Sequence, residues 1–274
     1  MNNKTVFIVS DRTGITAETL SHSLLTQFPG FEFRTQHVPF VDSREKALQV
    51  VEQINEASKT TGSKPLVFST FIDDEVKQVI NGGDGVFFDF FDTYIGPLER
   101  ALEVESSHTA GRSHGVVDVG RYTSRITALN YSMHSDDGTN VGNYDQAEII
   151  LIGVSRSGKT PTCLYLALHF GLYAANYPLT EADLNTGQLP GIFESHRQKV
   201  FGLSIDPARL QQIRRERRGG NEQYSQLRQC RIEVNQAEAI FRREEIEFID
   251  VTAMSIEEIG ATIMDRKNLQ RDMY

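Results

Sequence analysis

Short apolar runs alternate with amphipathic stretches from the start of the chain. Residues 6–9 (Val-Phe-Ile-Val) form an uninterrupted apolar, β-branched run that predicts a buried strand. A helix follows from near Thr16, with Leu20, Leu24 and Leu25 at helical spacing. The pattern then repeats. Strands are predicted at 33–40, 65–71 and 85–91. Helices are predicted at 43–57 (Ala47, Val50, Val51 and Ile54 on one face), 73–80 and 97–105. Asn81-Gly82-Gly83 supplies a helix stop. Alternating β and α segments of this length imply right-handed βαβ units around a parallel sheet.

Periodicity lapses over 106–120, which reads as a loop, and a helix over 122–134 ends at Ser135-Asp136-Asp137-Gly138. Strands are predicted at 148–152, 176–179, 200–205 and 246–251. Helices are predicted from the 153–160 loop to about 175, and at 207–218, 221–243 and 255–268. The expected fold class is therefore α/β: an N-terminal parallel-sheet βα domain over 1–145 and a P-loop NTPase/kinase-like α/β domain over 146–274. Neither an internal repeat nor a low-complexity tract is visible.

Composition narrows the function classes. Of 274 residues, 39% are hydrophobic and 24% charged, as in a globular chain rather than a disordered one. Lysine and arginine number 28 against 37 acidic residues, a net charge of −9, which gives no whole-molecule attraction to nucleic acid or an anionic membrane. Cys163 and Cys230 form no Cys-x-x-Cys pair, so no zinc or iron–sulfur framework is expected. The first residues have too short an apolar run for a signal peptide, and no stretch approaches the roughly 18 apolar residues of a membrane span. The expected location is the cytoplasm. A homodimer is compatible with the sequence, which does not fix oligomeric state.

The clearest chemical signal is Gly153-Val154-Ser155-Arg156-Ser157-Gly158-Lys159-Thr160, which fits Gly-x4-Gly-Lys-[Ser/Thr]. The glycines let the loop wrap so that backbone N–H groups face phosphate oxygens. The following helix adds partial positive charge at its N-terminus. Lys159 supplies a full charge, and Thr160 a hydroxyl for magnesium. The setting agrees: Glu148 to Ile152 is the required preceding strand, and Leu164, Ala167, Leu168 and Leu172 suggest one apolar stripe on the required helix. Pro161 falls in the first turn, where its missing N–H costs little. No Asn-Lys-x-Asp element reads guanine.

Other candidates keep two readings. Asp206 and Asp250 end apolar runs, and each either holds magnesium through water or is an ordinary turn residue. Arg209, Arg214, Arg215, Arg217 and Arg218 either close over a nucleotide or form a solvated helix face. Asp136-Asp137-Gly138 is either a helix stop or a pair of carboxylates able to hold a metal or accept a hydroxyl proton. His114, Asp118, Arg125 and His134 carry no assignment from the residues alone. Ser10-Asp11-Arg12-Thr13-Gly14 is a βα turn at the sheet edge where open α/β folds place ligands.

Taken together these segments resemble a known family. They are residues 9–18 near the start, Arg112-Ser113-His114-Gly115, Arg125-Ile126-Thr127-Ala128, and residues 134–138. Residues 153–162, 174–179 and 201–207 follow, with Tyr224 to Arg231 last. Nearly the full length is similar to the bacterial phosphoenolpyruvate synthase regulatory proteins, relatives of the pyruvate, phosphate dikinase regulatory proteins. The Leu227-Arg228-Gln229-Cys230-Arg231 stretch favours the synthase branch. Two positions depart from the family pattern: Ser157 stands where relatives commonly carry cysteine, and Ser135 interrupts a His-Asp-Asp-Gly run.

The resemblance implies a bifunctional enzyme with phosphoenolpyruvate synthase as its protein substrate. As a kinase it transfers the β-phosphoryl of ADP to a threonine. As a phosphorylase it uses inorganic phosphate to remove that group as pyrophosphate. Mg2+ is the expected cofactor. The nucleotide-binding residues would be Gly153 to Thr160, with Lys159 also catalytic and Thr160 and Asp206 as the metal pair. Asp137 is the candidate base, His114 and Arg125 would place the target loop, and Arg215 or Arg218 would stabilise the transferring group. The rival readings are an ATP-dependent small-metabolite P-loop kinase and a nucleotide-sensing module without catalysis.

Overall fold

The computed structural model describes residues 2–107, 119–217 and 224–269. The chain forms two compact units, Met1–Val116 and Val117–Tyr274.

In the first unit β1 (Asn2–Ser10), α1 (Ile15–Leu25), β2 (Phe31–Val38), α2 (Arg44–Thr61), β3 (Leu66–Thr70), α3 (Asp74–Ile80), β4 (Val86–Asp89) and α4 (Phe90–Leu102) succeed one another. The sheet is parallel, ordered β2-β1-β3-β4. Strand alternation sorts β1 onto two cores. Phe7 and Val9 pack with Val50, Ile54, Val76 and Ile80 on one face, and Val6 and Ile8 with Ala17 and Phe90 on the other. The last helix starts earlier than the expected 97–105. The Asp89 carboxylate accepts from Asp92 N at 3.0 Å, ending β4 and capping α4, so Phe90 and Phe91 are helical and Pro97 lies inside the helix.

The second unit holds α5 (Val119–His134), β5 (Ile149–Gly153), α6 (Lys159–Phe170), β6 (Ala174–Pro178), α7 (Glu181–Thr186), β7 (Val200–Ser204), α8 (Pro207–Arg217), α9 (Leu227–Arg243), β8 (Phe248–Asp250) and α10 (Ile256–Arg266). Its sheet is also parallel, ordered β6-β5-β7-β8. Both sheets thus bear out the α/β class, and in each the first strand is flanked on both sides. The unit boundary lies earlier than the expected 145/146. Tyr131 of α5 joins the second unit's core and stacks on Tyr173 with ring centroids 5.0 Å apart, which ties α5 to α6 and β6.

Strand β5 is wholly buried, as its Ile-Ile-Leu-Ile run requires of a central strand. The buried side of α6 is Thr162, Cys163, Leu166 and Ala167, not the expected stripe through Leu168, which is 44% exposed. Helix α9 buries Cys230, Val234, Ala237, Ile240 and Phe241 at helical spacing. It comes so close to the sheet that Gly202 of β7 has no room for a side chain. A Cβ there would sit 2.7 Å from Phe248 Cβ and 2.9 Å from the Phe241 ring. Gly202→Ala is expected to destabilise the unit by about 1–3 kcal/mol through overpacking. A denaturant titration checks this, and an unchanged midpoint would contradict it.

Candidate active site

The order of the second sheet makes β5 its topological switch point, because the chain leaves it toward β6 on one side and reaches β7 on the other. Open α/β sheets place ligands outside the carboxyl end of such a strand. There the chain makes the loop from Gly153 to Gly158 before entering α6.

Local backbone geometry shows why these residues form a cradle. A Cβ at Gly153 would lie 2.4 Å from Leu203 O, so only glycine lets the loop leave the sheet this closely. Arg156 (φ 75) and Gly158 (φ 86) adopt left-handed conformations. Left-handed residues alternating with ordinary ones turn successive N–H groups toward one concavity, an anion-binding arrangement. The N-terminus of α6, 12 residues long, opens into the same space without a side-chain cap. Ser157 Oγ is buried there with no hydrogen-bond partner among the described residues.

Lys159 lies at the base of this concavity. Its Nζ donates to Gly153 O at 3.1 Å and Val154 O at 2.8 Å. Burial pushes the ammonium down from 10.5 to about 8, against the opposing pull of Asp137, Cys163 and Asp136. An ammonium that burial disfavours this strongly is poised to gain from an incoming polyanion.

Opposite the loop stands the turn after α5. Thr160 Oγ1 donates to Asp136 Oδ1 at 2.8 Å. Asn176, buried on β6, donates its side-chain amide to the same carboxylate oxygen, and its Oδ1 accepts Asp137 N at 3.1 Å. The turn itself needs left-handed residues at Asp137 (φ 50) and Gly138 (φ 70), and a Cβ at Gly138 would strike the Tyr177 ring at 2.8 Å. Asp137 thereby reaches the cavity wall.

The cavity measures about 640 Å³. Ser155 to Pro161 form its floor, and Asp136 and Asp137 stand on one side. Ile213, Val251, Met254, Ile256 and Ile259 form an apolar side, with Arg209 of α8 also on the wall. This combination suits a ligand with a polyphosphate and an apolar ring. The first unit has a larger groove, about 790 Å³, between α1 and β2. The hydroxyls of Thr19, Ser21, Ser23 and Thr26 on its wall are already committed, each donating to a carbonyl of α1, and it lacks a phosphate-cradling loop.

The expected site residues are distributed unevenly. Gly153 to Thr160, Lys159 and Asp137 come together. Asp206 does not join Thr160: its carboxylate caps α8, accepting from Ala208 N at 2.8 Å and Arg209 N at 3.0 Å, while Asp136 stands beside Thr160 instead. Asp250 likewise forms a turn, accepting Thr252 N at 2.8 Å. Arg215 is exposed and lies off the cavity wall, whereas Arg209 of α8 lies on it. Arg125 is half-buried on α5 and does not line the cavity. His114 and Arg218 lie outside the described residues. Asn176 escaped the sequence reading because an asparagine in a strand carries no local signature. The one signal available was its place in the Ala174-to-Leu179 segment.

Among the described residues no group of three histidine, cysteine or acidic side chains converges into a metal cage. The Thr160 hydroxyl and Asp136 carboxylate are hard oxygen donors next to the cradle. They fit a magnesium ion that takes its remaining ligands from phosphate and water.

Comparison with known proteins adds an independent line. The kinase/pyrophosphorylase family matches residues 6–264. A protein of Alkalilimnicola ehrlichii named "Putative phosphoenolpyruvate synthase regulatory protein" is 54% identical over 271 residues, spanning 99% of this chain and 98% of its own. Proteins of the same name from Halorhodospira halophila (55% over 267 residues, 97% of each chain) and Legionella pneumophila (50% over 266 residues, 97% of this chain and 98% of its own) are also similar.

Proposed function

This chain belongs to the kinase/pyrophosphorylase family, and from that premise we propose that it is an ADP-dependent protein kinase and phosphate-dependent phosphorylase acting on a threonine of phosphoenolpyruvate synthase. The observation that carries the reading is the meeting of Lys159 and the 153–158 cradle with Asp136 and Asp137 across one cavity. The target comes from the relatives' names, which point to the synthase.

In the kinase direction the loop N–H groups and Lys159 hold the two phosphates of ADP. The apolar side of the cavity receives the base. The threonine oxygen attacks the β-phosphorus, the bond to the bridging oxygen breaks, and AMP leaves with that oxygen. Asp137 accepts the hydroxyl proton. In the phosphorylase direction inorganic phosphate occupies the place of the α-phosphate and attacks the phosphothreonine phosphorus. The threonine oxygen leaves and recovers its proton from Asp137, and pyrophosphate is formed. One cradle thus serves both reactions, because each has a phosphate oxygen on one side of the transferring phosphorus and a threonine oxygen on the other. Thr160 and Asp136 would hold magnesium, which when bound neutralises charge on the phosphates.

The test is incubation with purified phosphoenolpyruvate synthase and ADP, followed by mass spectrometry of the synthase. A phosphorylated threonine formed from ADP, and removed as pyrophosphate when phosphate is added, is the expected result. No modification from ADP, or transfer from ATP to a small alcohol, would overturn the proposal in favour of a metabolite kinase.

A further inference from the structure

Among the described residues of the second unit, the charged side chain with the least exposed surface lies behind the cradle, not in it. Arg214 of α8 is 1% exposed. Its guanidinium donates to Glu233 Oε2 of α9 at 2.5 Å, to Tyr224 O at 3.0 Å and to Ser155 O at 3.2 Å. It lies over the Tyr224 ring, 4.0 Å from the centroid, and Tyr224 Oη donates to Ser155 Oγ at 3.0 Å. Burial works most strongly against the charged guanidinium, but the Glu233 carboxylate, with Tyr224 and Cys230, more than offsets it and the charge is held.

Ser155 is a loop residue, and the bond falls on its main-chain oxygen. In a trans peptide the C=O and the following N–H point in opposite directions. Holding the Ser155 carbonyl outward therefore aims the Arg156 N–H inward, toward the concavity where phosphate would sit. Arg156 is also the loop's non-glycine residue in the left-handed region (φ 75), so its peptide orientation needs external support.

We propose that Arg214 is a positioning residue for phosphate binding: braced by Glu233 and Tyr224, it locks the Ser155–Arg156 peptide in the orientation that presents an N–H to the bound phosphate. The proposal rests on the reading that the cradle takes a diphosphate. It divides the arginines of α8 by role: Arg209 faces the ligand, whereas Arg214 acts through the loop backbone.

The test compares wild type with Arg214→Lys, which keeps the charge opposite Glu233 but lacks the planar fork that reaches three acceptors at once. Pyrophosphate is the probe, titrated calorimetrically well below the melting midpoint, with the Arg156 amide followed by NMR. Arg214→Lys is expected to weaken pyrophosphate binding about tenfold, the scale of one hydrogen bond to a charged group. The large shift of the Arg156 amide on binding is expected to be lost. A purely structural residue would lower the midpoint and leave both readouts unchanged. A folded Arg214→Lys protein with affinity within twofold of wild type and a normal Arg156 shift would overturn the proposal. Should that variant not fold, Tyr224→Phe removes the phenol bond to Ser155 and keeps the ring under the guanidinium. About a threefold loss supports the brace, and unchanged affinity overturns it. Wild type that binds neither pyrophosphate nor ADP would sink the diphosphate reading itself, and the brace with it.

Discussion

Lys159→Met is expected to abolish phosphoryl transfer in both directions, by about 10³-fold or more, while making the protein more stable. The activity loss follows from removing the buried ammonium at the base of the cradle. The gain in stability follows from the same burial. A fall from 10.5 to about 8 disfavours the charged ammonium by roughly 3 kcal/mol. Methionine fills similar space without that cost, although two carbonyls lose a donor, so a net gain of about 1–2 kcal/mol is expected at pH 7. The sign of the pH dependence can be worked out. The folded lysine titrates below the unfolded one, so between about 8 and 10.5 the unfolded chain binds more protons, and wild-type stability rises with pH in that window. The advantage of Lys159→Met should therefore be full below about pH 8 and fade above it. ADP affinity should run the opposite way, flat below about 8 and weakening above it as the ammonium is lost. Calorimetric melts and ADP titrations across this range check both trends. A Lys159→Met protein less stable than wild type at pH 7 would show that the lysine contributes structural support instead.

Asp137→Asn should lower kcat by about 10²–10⁴ in both directions with KM for ADP nearly unchanged. In the proposed mechanism the carboxylate accepts the threonine proton, which asparagine cannot take. The substitution is conservative for the fold. Asparagine tolerates the left-handed backbone at φ 50, and the Asp137 N–H bond to Asn176 belongs to the main chain. Steady-state kinetics in both directions decide the matter. Turnover within about threefold of wild type in either direction would place the base elsewhere. A parallel fall in ADP affinity would mean that Asp137 shapes the cradle and not the proton path.

Local signals carried much of the fold. The central strands β1, β3, β5 and β7 announced themselves as apolar runs, because a strand buried on both faces has few polar positions to spend, whereas the edge strand β2, Phe-Glu-Phe-Arg-Thr-Gln-His-Val, is mostly exposed and carries no such run. The 153–160 loop was equally legible, since its glycines and lysine answer to backbone geometry and charge within eight residues. What misled the reading was also local. The two phenylalanines after Asp89 continued an apolar run, but the Asp89 cap outweighed them and started α4 early. Helix α5 looked like the end of the first domain because chain order, not packing, was all the sequence displayed.

The sequence alone thus determined the α/β class, the glycine-bearing 153–160 loop and the kinship of the chain, because each is written in contiguous residues with fixed spacing. Tertiary structure alone decided which carboxylate stands beside Thr160, which asparagine holds the turn that presents Asp137, and which arginine of α8 reaches the loop. Asp136 and Asp206 are equivalent as sequence, each an acid at the end of an element. Only the packing of α5 and β6 brings the first to the cradle, while the second is used up in capping α8. Arg214 and Arg215 are neighbours in the chain. A helical step of about 100° separates the buried one from the exposed one, and the direction that faces the loop is set by where α9 packs.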